Sequence, residues 1–84
     1  MVTRDFSGEN VITVLCNVGP FHIENVTGSH VKLRCDPPAH HNTDPRVVTV
    51  PRKDRIREGT LRSIAEQAGA EDFDEFCAWI DRNS

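Results

Sequence analysis

Gly28-Ser29-His30-Val31-Lys32-Leu33-Arg34-Cys35 alternates polar and apolar residues without a break from His30 onward. Successive side chains of a strand point to opposite faces. Val31, Leu33 and Cys35 therefore turn to a core, and His30, Lys32 and Arg34 turn away from it together. Gly28 permits an unusual backbone angle at the turn entering the strand. Upstream, Phe21 and Ile23, with or without Val26, outline a first strand that breaks at Thr27-Gly28-Ser29. Downstream, Asp36–Pro45 holds three prolines and Asn42 and reads as a loop. Arg46-Val47-Val48-Thr49-Val50 is a β-branched third strand, ended by Pro51. Three short strands joined in this way make an antiparallel meander.

Helices flank the meander. Ser7 is a good N-cap, Phe6 lies at staple distance from Val11, and Glu9 suits the positive end of a helix. Val11, Val14, Leu15 and Val18 then give one apolar face. Gly19, expected as a left-handed cap, and Pro20 stop this helix. After the sheet, Leu61, Ile64, Ala65 and Ala68 keep helical spacing as far as Gly69. Phe73, Phe76, Cys77 and Ile80 repeat the pattern, with Trp79 beside them and Asp72 and Glu75 in capping-box positions. The order α-β-β-β-α-α, with helices covering one face of a three-stranded antiparallel sheet, is an α+β sandwich. Its other face is left to solvent, and that face carries His30, Lys32 and Arg34.

The chain has 84 residues, 37% apolar and 27% charged. That suits one small domain over residues 1–84, with a core over about 6–80, and excludes a disordered chain. The longest apolar run, Val11–Val14 with Thr13 inside it, falls far short of the roughly 18 residues of a membrane span. The N-terminus does not read as a signal peptide, and the expected location is the cytoplasm. Cys16, Cys35 and Cys77 are widely spaced and read as small buried side chains in a reducing compartment. His40 and His41, with Cys35 and Asp36 upstream, lack the usual spacing of zinc ligands. No metal or other cofactor is expected.

The net charge of −3 argues against nucleic-acid binding, but its distribution does not. Residues 46–62 carry six basic groups against Asp54 and Glu58, and residues 63–84 carry six acids against Arg82. Arg52, Lys53, Arg55 and Arg57 lead into a helix start, with Arg62 in its first turn, where free N–H groups favour anions. This belt reads as a phosphate-tracking element or, equally, as a solvated charged loop. The sheet face offers sharper chemistry. Histidine, whose ordinary pKa lies near 6.5, exchanges protons close to neutrality. Lys32 and Arg34 beside it, with Ser29 at the turn, could hold a phosphate and stabilise charge on its oxygens. A base next to cations is what RNA cleavage by its own 2′-hydroxyl requires. An ordinary exposed histidine is the alternative.

Gly28-Ser29-His30-Val31-Lys32-Leu33-Arg34, Val48-Thr49-Val50-Pro51, Gly59-Thr60-Leu61-Arg62-Ser63-Ile64 and Gln67-Ala68-Gly69, taken in that order, resemble the HicA (YcfA-like) toxin family. The resemblance runs from about Phe6 to Ile80. It implies a fold like a double-stranded-RNA-binding domain and an mRNA interferase activity that cuts RNA without the ribosome. It also implies neutralisation by a HicB-type antitoxin. His30 matches the family's catalytic histidine, while the proline-ended strand and the Gly59-Thr60 helix start match as scaffold. Two functions then compete: an endoribonuclease toxin, favoured by His30, and a non-catalytic RNA- or protein-binding module, favoured by Glu24 and the overall acidity.

Overall fold

The computed structural model describes residues 5–37 and 44–84. The elements run α1 (Gly8–Asn17), β1 (His22–Thr27), β2 (His30–Cys35), β3 (Arg46–Pro51), α2 (Glu58–Gln67) and α3 (Phe73–Asn83). The strands form one antiparallel sheet in the order β1-β2-β3. This is the expected α+β architecture, and it is consistent with a scaffold like that of double-stranded-RNA-binding domains. His40 and His41, and most of the Asp36–Pro45 loop, lie outside the described residues.

Local chemistry explains the boundaries. The Ser7 hydroxyl accepts from the Asn10 amide at 3.1 Å, and the Asn10 side chain accepts back from the Ser7 amide at 3.4 Å. The box is closed by Asn10, and Glu9 is left free to pair elsewhere. Gly28, at φ +57°, makes the two-residue turn between β1 and β2, and Gly69, at φ +88°, ends the region of α2. Gly19 behaves differently from the expectation. Its φ is not positive, and a Cβ there would lie 2.8 Å from the Leu15 carbonyl oxygen and 3.2 Å from the Trp79 ring. Close approach, not a left-handed cap, requires glycine at that position. Asp72 accepts from the Glu75 amide at 3.0 Å, which is one half of the expected capping box.

The helices cover one face of the sheet. Val11, Val14 and Leu15 of α1 enter the core with Val31 and Leu33 of β2 and Val48 and Val50 of β3. α2 adds Leu61, Ile64 and Ala65, and α3 adds Phe76, Cys77 and Ile80. Each aliphatic side chain buried in this way stabilises by about 1.5–3 kcal/mol, against about 0–1 kcal/mol for an exposed ion pair. Packing therefore holds the fold, and surface charge is left free to serve other ends. Cys77 is buried and Cys16 and Cys35 are half-buried, and none of the three is joined in a disulfide. Val18, expected in the core, is exposed because it caps α1 beyond the last packed turn.

The two sheet edges differ. At β3 the Gln67 side chain of α2 accepts from the Thr49 amide at 3.1 Å and covers part of the edge. Every residue of β1 is exposed, including Ile23 and Val26. Register places these two opposite Leu33 and Val31, on the helix side of the sheet.

Candidate functional site

His30 opens β2 immediately after the Gly28-Ser29 turn, paired with Thr27 on one side and Pro51 on the other. Its imidazole is exposed, and no hydrogen bond or ion pair among the described residues holds it. The frame around it is fixed by backbone. The Arg52 amide donates to the Ser29 carbonyl at 2.6 Å, which prolongs the β2–β3 ladder past His30. The Gly8 amide donates to the Lys53 carbonyl at 2.8 Å, so the start of α1 is docked on the exit of β3. A free side chain on a firmly held backbone suits a group that must meet a substrate.

Lys32 and Arg34 follow on the same open face, opposite Thr49 and Val47 of β3. They are not free. A β-bulge between Ile23 and Asn25 leaves Glu24 without a partner residue on β2. The Glu24 carboxylate reaches Lys32 Nζ at 3.4 Å and Arg34 Nη1 at 3.1 Å. Arg34 Nε also donates to Asp36 at 2.8 Å. The hydrogen bond from Arg34, with the charge of Lys32 beside it, holds the Glu24 carboxyl below its ordinary range. Asp36 and then Glu24 raise the Arg34 guanidinium correspondingly. Both cations that the sequence offers as phosphate holders are therefore engaged by carboxylates in the unliganded protein.

The basic belt forms a separate group. Arg52 pairs with Glu9 of α1 at 2.8 Å, and Arg55 pairs with Asp5 at 2.6 Å. Arg62 lies 3.9 Å from Glu58 and stacks over the Phe73 ring at 4.2 Å. Lys53 and Arg57 have no ion pair among the described residues. Arg57 is the N-cap of α2, and no side chain caps that end. The belt thus offers two unpaired cations and an uncapped helix start, while Arg52 is drawn toward α1.

Three partners of this face escape a reading by sequence pattern. Glu24 is invisible as a neighbour of Lys32 until the bulge is known. His22 pairs with Arg34 in register, about 13 Å along the strand direction from His30 at ~3.3 Å per residue. Gly8 matters because of what lies above it: a Cβ there would fall 2.0 Å from the Pro51 carbonyl oxygen.

Two open hollows lie off the sheet face, the first of them within the basic belt. One of about 570 Å³ is lined by Asp5 and Arg55–Glu58, and an apolar one of about 280 Å³ by Leu15, Phe21, Cys35, Arg46, Phe76 and Trp79 among others. An open sheet with an exposed imidazole suits an extended polymer better than an enclosed small molecule. No group of three or more potential metal-ligating side chains occurs among the described residues, nor any helix long and apolar enough to cross a membrane.

Comparison with curated proteins and with solved structures returns no match. The family model described as HicA toxin of bacterial toxin-antitoxin matches residues 8–70, three quarters of the chain. The matched span runs from the first residue of α1, through the whole sheet and the Gly28-Ser29-His30 turn, to the end of the α2 region, and it stops before α3. A match of that extent, on a fold of the expected order, places the chain in the HicA toxin family of bacterial toxin–antitoxin systems.

Proposed function

We propose that the protein is an mRNA interferase, an endoribonuclease that cuts RNA on its open sheet face with His30 as the catalytic group. The observation that carries this reading is the state of His30: exposed, without a partner among the described residues, and fixed in place by the turn before it and the strands on either side. In the reaction, the 2′-oxygen attacks the adjacent phosphorus and its proton passes to the His30 imidazole. The bond from phosphorus to the 5′-oxygen breaks, and that oxygen takes a proton from solvent or from the imidazolium. A 2′,3′-cyclic phosphate and a 5′-hydroxyl remain. Lys32 and Arg34, once released from their carboxylates, hold the phosphate, and Ser29, Lys53 and Arg57 flank its path with Arg52, Arg55 and Arg62 behind them. Family membership supports an antitoxin of the HicB type, and covering His30 and its neighbouring cations is the direct way to silence such a site.

The engagement of Lys32 and Arg34 by Glu24 and Asp36 favours a second reading, a non-catalytic binding module on the same scaffold. Incubation with single-stranded RNA separates the two. The enzyme reading expects fragments ending in cyclic phosphate, and none from the same sequence carrying 2′-O-methyl groups. Intact RNA, bound but uncut, would leave the binding module standing.

A further inference from the structure

We propose that Glu24 limits the affinity of the RNA face: its carboxylate occupies the position of a substrate phosphate between Lys32 and Arg34, and RNA must displace it to bind. This rests on the RNA-cleaving reading above and identifies a residue that sets the strength of that interaction. The geometry is that of an internal mimic. One Glu24 oxygen meets Lys32 at 3.4 Å and the other meets Arg34 at 3.1 Å, the bridging contact that two phosphate oxygens would make on the same pair of cations. The β-bulge aims it. Without the extra residue, Ile23 and Val26 could not both lie on the helix side, opposite Leu33 and Val31. With it, Glu24 is spare and faces the cations. A glutamate carboxyl is charged near neutrality in any case, and the hydrogen bond from Arg34 lowers its proton affinity further.

A purely structural brace would look similar in the free protein, so the two roles are separated by what their loss does. Exposed ion pairs contribute little to folding, and Glu24→Gln keeps the size and hydrogen-bonding capacity of the side chain. The variant should fold and melt like the parent. Its RNA binding should change in two ways. Lys32 is freed and Arg34 keeps only its pair with Asp36, so phosphate meets one competing charge fewer, which strengthens binding by about 5-fold at low salt. The salt dependence also steepens. In the parent, the displaced carboxylate takes up a cation as RNA releases one, so net ion release is blunted. In Glu24→Gln that offset is gone, and the logarithmic slope should grow by roughly 0.7 for each cation freed on single-stranded RNA.

The probe is a fluorescein-labelled oligouridylate with 2′-O-methyl groups, which cannot supply its own nucleophile and stays intact. Anisotropy titrations across a salt series should give the tighter binding and steeper slope for Glu24→Gln. Adding Lys32→Ala and Arg34→Ala to that variant should erase both gains. Glu71→Gln, which makes the same change in net charge on the exposed turn between α2 and α3, should match the parent. An equal gain in Glu71→Gln, or a gain that survives loss of Lys32 and Arg34, overturns the proposal. Parent and Glu24→Gln binding alike, in affinity and in slope, also overturns it and leaves the RNA reading intact. Binding by neither protein at low salt overturns the RNA reading, and the role of Glu24 falls with it.

Discussion

Replacing His30 with alanine is expected to lower RNA cleavage by about 10²–10⁴-fold, the range lost with a positioned acid or base. Stability should stay within about 0.5 kcal/mol of the parent, as for other exposed positions away from packed features. The reasons are separate. The imidazole has no partner among the described residues, so its removal breaks no contact. The backbone at His30 is secured by strands on both sides, so the site keeps its shape without the ring. Cleavage and thermal melting of the same preparation decide the matter. A variant that melts like the parent and cuts at the parent's rate removes His30 from the chemistry.

Gly8→Ala is expected to destabilise the fold by about 1–3 kcal/mol, the usual cost of forcing extra volume into a packed site. For a domain of this size that is a fall in Tm of about 10 °C. The sign opposes ordinary helix propensity, by which alanine in place of glycine gains up to about 1 kcal/mol. The clash wins because the new Cβ would meet backbone, the Pro51 carbonyl oxygen at 2.0 Å and the Arg52 Cα at 3.1 Å, rather than a side chain that could swing aside. Gly59→Ala is the matched control. It is also in the first turn of a helix, with nothing within 4 Å of the added carbon, and there the helix gain should be seen. Equal stabilisation in both variants would mean that α1 is not clamped on the end of β3. Pro51 pairs with His30, so the same clash should also reach the proposed site.

The fold was legible because its signals are local. Alternation from His30 to Cys35, β-branched residues before Pro51 and i, i+3, i+4 spacing in three segments each name one element, and Gly28 and Gly69 take the positive φ expected of turn and cap. Signals that depend on tertiary context misled. Gly19 looks like a left-handed cap in one dimension, yet it is there to let Leu15 and Trp79 approach. Ile23 and Val26 face the helix side of the sheet yet stay exposed, because burial of a strand depends on what packs over it, which no strand pattern encodes. The bulge between Ile23 and Asn25, which sets both apolar residues on one side, comes from the register of β1 on β2. Only register reveals that the extra residue is Glu24 and that its carboxylate lies across Lys32 and Arg34. The candidate site was thus legible in its histidine and its cations and illegible in their counter-charges, because ion pairs between strands follow from register and not from spacing along the chain.

The central claim is that the open sheet face around His30 is where RNA is held. It is tested most directly by titrating the nitrogen-15-labelled protein with the uncleavable 2′-O-methyl oligouridylate and following amide and imidazole resonances. The largest shifts are expected at His30, Lys32, Arg34 and Thr49, with the His30 ring perturbed at the lowest RNA concentrations. Shifts confined to α3, or to the apolar hollow lined by Leu15, Phe21 and Trp79, with the His30 ring unmoved at saturation, would contradict the account.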